Sequence, residues 1–324
     1  VQARRQPGSC FKPFVYAGGF ELALGRRKNG MTPATMLDDS PLELTSGGES
    51  WRPANYDGAY RGRVSARRAL EDSLNIPTIR AALEVGLDQV IATARACGIE
   101  SPLPALPSLA LGSAEVTPLE LATAYGVFSE RGIRVTPWII RAVTDRNGKR
   151  LVGRGVERRR AISAQTAYQI NDILRGVLQR GTARSAAAMG FRGIAAGKTG
   201  TTDGTRDSWF VGYDNELLAL VWVGYDDNAR TGLTGATGAL PIWVDFMKTE
   251  AGEAARSRSP RPHGIVRVLI DPETGKLAGP GCPEAWEEWF VPGTEPVEKC
   301  KMHDRRFRRW LRKIFGRGRS DGAI

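Results

Sequence analysis

Histidine is nearly missing from this sequence: among 324 residues there are two, His263 and His303. Both stand far in sequence from every motif described below, which argues against a histidine-based triad or a two-histidine metal site. Cysteine is also scarce. Cys10, Cys97, Cys282 and Cys300 form no C-x-x-C pair, so neither a redox dithiol nor a four-cysteine zinc site is indicated. No apolar run approaches the roughly 18 residues of a membrane span. The longest, Leu217 to Gly224, reads as a buried strand. Internal repeats, zinc fingers, RNP-like aromatic motifs and glycine-rich phosphate loops are lacking too.

What is present suits one large domain, or a large domain with a small companion, since 41% of the residues are hydrophobic. The formal net charge is +11, with much of the excess in Arg154 to Arg160 and Arg305 to Arg319. That distribution favours an anionic membrane surface or envelope polymer, and with no nucleic-acid motif beside it, nucleic acid is not expected as a partner. The chain starts at Val1 and reaches Pro7-Gly8-Ser9 almost at once, so it reads as a piece of a longer protein whose anchor or leader lay ahead. Cys282 and Cys300 close a short loop in a Gly/Pro-rich region, and a disulfide between them is expected in an oxidising compartment. Adding His303 gives three metal ligands, one short of a structural zinc set, so no metal and no cofactor is expected.

Along the chain, residues 9 to 24 read as a helix, and Ser73 to Cys97 as helical segments broken near Pro77. Thr117-Pro118-Leu119-Glu120 combines an N-cap threonine, proline at the first helical position and a capping-box glutamate, predicting a helix to Arg131 that Gly132 stops. Trp138 to Thr144 and Arg150 to Gly155 flank an Asp145-Arg146-Asn147-Gly148 turn, a hairpin signal. A further helix is expected over Ser163 to Arg180. Gly193 to Thr202, Ser208 to Tyr213 and Leu217 to Tyr225 then read as an antiparallel meander. The division expected is a main domain over 1–250, a linker over 251–262, a small β-type extension over 263–303 and a basic amphipathic tail over 304–324.

Three short motifs follow in order: Ser9-Cys10-Phe11-Lys12, Ser73-Leu74-Asn75 and Lys198-Thr199-Gly200-Thr201. A serine hydroxyl is a poor nucleophile until a base takes its proton, and the i to i+3 spacing puts Ser9 and Lys12 on one helical face. Pro13 would clash with a helical carbonyl four residues earlier, so the helix begins no sooner than about Ser9. Ser9 is then placed among the free N–H groups at the positive end of the helix. For Lys12 to be the base it must be neutral part of the time, which burial and the charge of Lys198 would favour. Alternation sends Lys198 and Gly200 to one side of a strand and Thr199 and Thr201 to the other. Gly200 permits close approach of another backbone, while Lys198 and a threonine hydroxyl could meet a substrate carboxylate. Backbone N–H groups of Ser9 and Thr201 suit an oxyanion hole. Ser73 and Asn75 would enter the cleft from a third element to relay a proton and hold an amide. Each motif alone is short enough to arise by chance; their order and element types together point to serine acyl transfer by a lysine base.

These motifs, with Arg5-Gln6-Pro7-Gly8-Ser9, Leu111-Gly112-Ser113, Gly181-Thr182-Ala183, Trp209 to Tyr213, Trp222 to Asn228, Pro241-Ile242-Trp243 and Gly293-Thr294-Glu295-Pro296, resemble the transpeptidase part of class A, bifunctional penicillin-binding proteins. The resemblance implies an α+β, β-lactamase/transpeptidase-like fold: an antiparallel sheet flanked by helices, a helical subdomain and a small C-terminal β appendage. It implies that strands ahead of the nucleophile helix are missing here. It further implies a periplasmic enzyme that acylates Ser9 with peptidoglycan stem peptides, is inhibited by β-lactams, and is joined to a glycosyltransferase and a membrane anchor. A DD-carboxypeptidase, a serine β-lactamase, and a non-enzymatic β-lactam sensor or envelope scaffold stay open. Cys10 reads as a small buried side chain.

Overall fold

Lys12 to Phe20 are buried without interruption, which marks the first helix as the axis around which the rest is laid. The computed structural model describes residues 3–46, 49–153, 155–250 and 260–303. A 3₁₀ turn, Gly8–Phe11, leads directly into α1, Lys12–Leu24. Pro13 thus occupies the first turn, where it removes no helical hydrogen bond. Around α1 lie α2 (Ala66–Glu71), α3 (Asn75–Val85), α4 (Leu87–Cys97), α5 (Pro118–Ser129) and α6 (Ala164–Gln179). Phe14, Tyr125 and Phe128 join α1 to α5 through ring contacts of 5.6–6.0 Å.

Local chemistry explains most boundaries. Thr117 and Glu120 form the expected reciprocal capping box, and Glu120 also receives the Ser101 hydroxyl at 2.7 Å. Ser163 caps α6 through the Thr166 N–H. The break expected near Pro77 falls elsewhere. Pro77 sits in the first turn of α3, and the interruption comes at Gly86, whose φ of 93° ends one helix and opens the next.

The meander is present as a three-stranded antiparallel sheet: Leu218–Val223, Ser208–Tyr213 in the centre and Ala196–Thr201 at the other edge. All six residues of the central strand are buried. In the register Lys198 stands opposite Val211, Thr199 opposite Phe210 and Gly200 opposite Trp209. The expected hairpin pairs Ala142–Thr144 with Arg150–Gly153 and is extended by Ile133–Val135 against Arg158–Arg160. Elements without a counterpart in the sequence reading include α2, the strand pairs Met36–Asp39 with Gly62–Ser65 and Leu44–Ser46 with Glu49–Trp51, and α7, Leu240–Glu250, which seats Trp243 against Phe191 and Phe210.

The C-terminal extension is a two-stranded pairing of Val266–Ile270 with Trp286–Phe290. It is tied to the main body by buried Arg67 of α2, which grips Glu288 and also reaches Glu71 and Asp172. Arg180 lies over Trp286 at 4.7 Å. The expected Cys282–Cys300 disulfide is not formed; both are free thiols. Cys282 Sγ faces Asp271 Oδ2 at 3.2 Å and the Gly279 N–H at 3.3 Å, and Cys300 Sγ faces His303 Nδ1 at 3.6 Å, so each thiol is directed to another partner. Residues 251–259 of the expected linker and the expected tail over 304–324 lie outside the described residues.

Candidate active site

Gly8, with φ at 54°, lets the chain turn into the 3₁₀ segment while lying against the edge strand. A Cβ there would stand 2.5 Å from the Thr201 carbonyl oxygen. Gly200 does the same from the strand side, where a Cβ would come 2.4 Å from the Pro7 carbonyl oxygen. The two glycines therefore bring the serine turn against Lys198-Thr199-Gly200-Thr201. Three further bonds fix the turn: Tyr125 Oη donates to the Cys10 carbonyl at 2.7 Å, Trp209 Nε1 to the Gln6 carbonyl at 2.9 Å, and Gly8 N–H to the Gly112 carbonyl at 3.3 Å.

A cleft of about 520 Å³ opens at this junction and is lined by Ser9, Ser73, Asn75, Thr182, Thr199 and Thr201 among others. Ser73 enters it with φ at 58°, a left-handed conformation rare for serine that costs on the order of 1–3 kcal/mol. That geometry turns its carbonyl and its hydroxyl toward two different lysines. Lys12 Nζ donates to the Ser73 carbonyl at 2.6 Å, the Leu74 carbonyl at 3.1 Å and Asn75 Oδ1 at 2.7 Å, and lies 3.4 Å from Ser73 Oγ. Lys198 Nζ approaches the same Ser73 Oγ at 2.7 Å and donates to the Thr199 carbonyl at 3.1 Å.

Both lysines are fully buried. Burial first, and the charge of Lys198 second, hold Lys12 well below the ordinary lysine value of 10.5. Burial pushes Lys198 down to about 8. Lys12 is thus driven toward the neutral amine, and the serine beside its Nζ is Ser73.

The structure gathers Ser9, Lys12, Ser73, Asn75, Lys198, Thr199, Gly200 and Thr201 at one place, with one shift of detail. Lys198 is directed at Ser73, so the hydroxyls facing the cleft from this strand belong to Thr199 and Thr201. Thr199 Oγ1 pairs with Thr182 Oγ1 at 2.7 Å, and Thr201 Oγ1 accepts the Gly235 N–H at 2.9 Å. Gly200 packs on Pro7 and Cys10 behind the cleft wall. Cys10 is buried, its thiol pushed up to about 12 by desolvation, and donates to the Lys198 carbonyl at 3.5 Å.

Asn55 was not singled out from the sequence. It is buried, its Oδ1 accepts the N–H groups of Asn75 at 2.8 Å and Ile76 at 3.3 Å, and its Nδ2 donates to Asp39 at 2.7 Å. It thereby satisfies the start of α3 and sets Asn75 against Lys12. The only signal was its place in a Pro/Gly-rich loop. Among the described residues, the carboxylates lining the cleft are Asp57, Asp72 and Asp203. Asp57 is paired with Arg61 and Asp72 with Arg68, and Glu71 is consumed by Arg67 and Arg180.

The penicillin binding protein transpeptidase domain family matches residues 1–237, and the family described as the penicillin-binding protein 1A C-terminal domain matches residues 261–305. Penicillin-binding protein 1A of Neisseria gonorrhoeae is 38% identical over 277 residues, which is 82% of this chain and 34% of that protein. The Aquifex aeolicus protein of the same name is 38% identical over 304 residues, covering 93% of this chain and 40% of its own length. The chain therefore spans well under half of these curated relatives. A crystal structure of penicillin-binding protein 1A from Haemophilus influenzae superposes with a TM-score of 0.84 at 31% identity, over 93% of this chain and 50% of that one.

Proposed function

From the premise that the chain belongs to the penicillin-binding protein transpeptidase family, we propose that it is a serine D-Ala-D-Ala transpeptidase acting on peptidoglycan stem peptides. Ser9 Oγ attacks the carbonyl between the two terminal D-alanines as neutral Lys12 Nζ takes its proton. The N–H groups of Ser9 and Thr201 receive the oxyanion, and the Thr199 and Thr201 hydroxyls take the terminal carboxylate. The Ser73 hydroxyl, held by charged Lys198, passes its proton to the departing D-alanine amine and takes up in return the proton that Lys12 removed from Ser9, so that both end as they began. Asn75 fixes Lys12 and offers its amide to the substrate. The acyl group on Ser9 is then transferred to the amine of a second stem peptide. A β-lactam ring carbonyl enters by the same attack, and its acyl group stays on Ser9.

The observation that supports this reading best is the Ser73 hydroxyl suspended between two buried lysines, 3.4 and 2.7 Å from their nitrogens. Of the three carboxylates that line the cleft, Asp57 and Asp72 are engaged by arginines, which suits them poorly to activating a deacylating water and supports transpeptidation over β-lactam hydrolysis. The reading assigns the transpeptidase to residues 1–250, a linker to 251–262, the small extension to 263–303 and a tail to 304–324 that meets an anionic membrane surface. It places the enzyme on the extracytoplasmic side as part of a bifunctional glycosyltransferase and transpeptidase.

The test is product analysis with a stem peptide and an amine acceptor. Release of D-alanine together with a cross-linked dimer supports the proposal. D-alanine without dimer turns the assignment to a carboxypeptidase.

A further inference from the structure

Asp271, Cys282, Cys300 and His303 come from separate turns of the C-terminal extension, yet their ligand atoms lie within 4.8 Å of one another. Asp271 directly follows the strand Val266–Ile270, with its N–H bonded to the Lys276 carbonyl at 2.8 Å. Cys282 ends the turn begun at Gly279, and Cys300 is held beside Leu277 by an N–H to carbonyl bond of 2.8 Å. His303 follows three residues later. Asp271, Cys300 and His303 are each at most 7% exposed, which is unusual for a carboxylate and an imidazole without a reason to meet.

We infer that these four side chains form a structural zinc site, with Asp271 as the fourth ligand that the cysteines and histidine alone lacked. Two thiolates, an imidazole nitrogen and a carboxylate oxygen suit a borderline-soft tetrahedral dication. With zinc bonds of about 2.0–2.3 Å, the edges of such a tetrahedron are about 3.3–3.8 Å long. Two separations lie close to that scale, 3.2 Å from Cys282 Sγ to Asp271 Oδ2 and 3.6 Å from Cys300 Sγ to His303 Nδ1, while His303 Nδ1 and Asp271 Oδ2, at 2.6 Å, stand at hydrogen-bond distance and would part on binding the ion.

The surroundings fit as well. His303 turns Nδ1 inward, and its Nε2 faces Glu273 Oε2 at 3.3 Å, the outer carboxylate that commonly orients a metal-bound histidine. The Gly279 N–H points at Cys282 Sγ, which would stabilise a thiolate. A disulfide would account for the cysteines but would leave buried Asp271 and His303 converging on the same point for no purpose. The extension also needs a staple. Its own buried apolar cluster consists of Ile270 and Phe290 with Ala34 of the main body, too little to hold some forty residues together.

The experiment uses the 324-residue chain, purified with a thiol-free reductant and no chelator, and reads its metal content. One equivalent of zinc retained through gel filtration is expected, as is a cobalt-substituted chain with thiolate charge-transfer absorption and intense tetrahedral visible bands. Asp271→Ala and His303→Ala should raise the dissociation constant for zinc by about 100-fold or more, and Glu273→Gln by about 10-fold. Circular dichroism of each variant separates lost metal from lost folding, and the cobalt spectrum of the unaltered chain stands even if a variant unfolds. An unaltered chain that keeps no zinc and gives a cobalt spectrum without thiolate bands overturns the inference. So does a Cys282–Cys300 disulfide that persists, metal-free, under these reducing conditions.

Discussion

In the proposed mechanism Lys12 is the base for Ser9, a role that rests on what encloses it, and that makes its chemistry measurable through pH. The neutral amine is the active form, and burial with the charge of Lys198 lowers its pKa, so β-lactam acylation should climb as Lys12 loses its proton. Lys198 must keep its own proton to hold Ser73, so the rate should decline above about pH 8. The expected profile of acylation rate against pH is a bell whose limbs belong to the coupled pair. Lys198→Met removes the neighbouring charge, so Lys12 should hold its proton to higher pH. The rising limb should move upward, and acylation at neutral pH should fall by about 100-fold. Much of this site was legible in the sequence because Ser9, Lys12, Ser73 and Lys198 keep short local spacings inside recognisable elements. Asn55 was not legible, since its role depends on a loop folding back onto the start of α3. The orientation of Lys198 toward Ser73 depends likewise on the left-handed backbone of Ser73, which no residue type announces.

At the scale of elements, local signals fixed helices and the meander well, and long-range packing decided the remainder. The Thr117–Glu120 box and the Ser163 cap are written in neighbouring residues, so α5 and α6 could be read off. Helix α7 could not, because its boundary follows from Trp243 docking between Phe191 and Phe210, tens of residues away. The same holds for Arg67, whose partners Asp172 and Glu288 lie 105 and 221 positions further on. Removing one partner of a buried pair leaves an uncompensated charge. Glu288→Ala should therefore lower unfolding free energy by about 3–5 kcal/mol, whereas Thr117→Ala should cost about 1 kcal/mol, both read from urea denaturation.

At the scale of the molecule, one fold joins a cleft built around two buried lysines to an extension clamped on by Arg67 and, by the inference above, closed by a metal. None of the helices formed by described residues is long and apolar enough to cross a membrane. The strongly basic segment over 304–324 should supply surface attachment alone. Its deletion should weaken sedimentation with anionic vesicles in a salt-dependent way and leave the acylation rate unchanged. The central claim is that Ser9 carries a lasting acyl group, and its most direct test is labelling the chain with a fluorescent penicillin followed by peptide mapping. The account predicts label on the peptide containing Ser9, persisting over many minutes, and none in Ser9→Ala. Label that turns over within seconds, or that survives in Ser9→Ala, would contradict it.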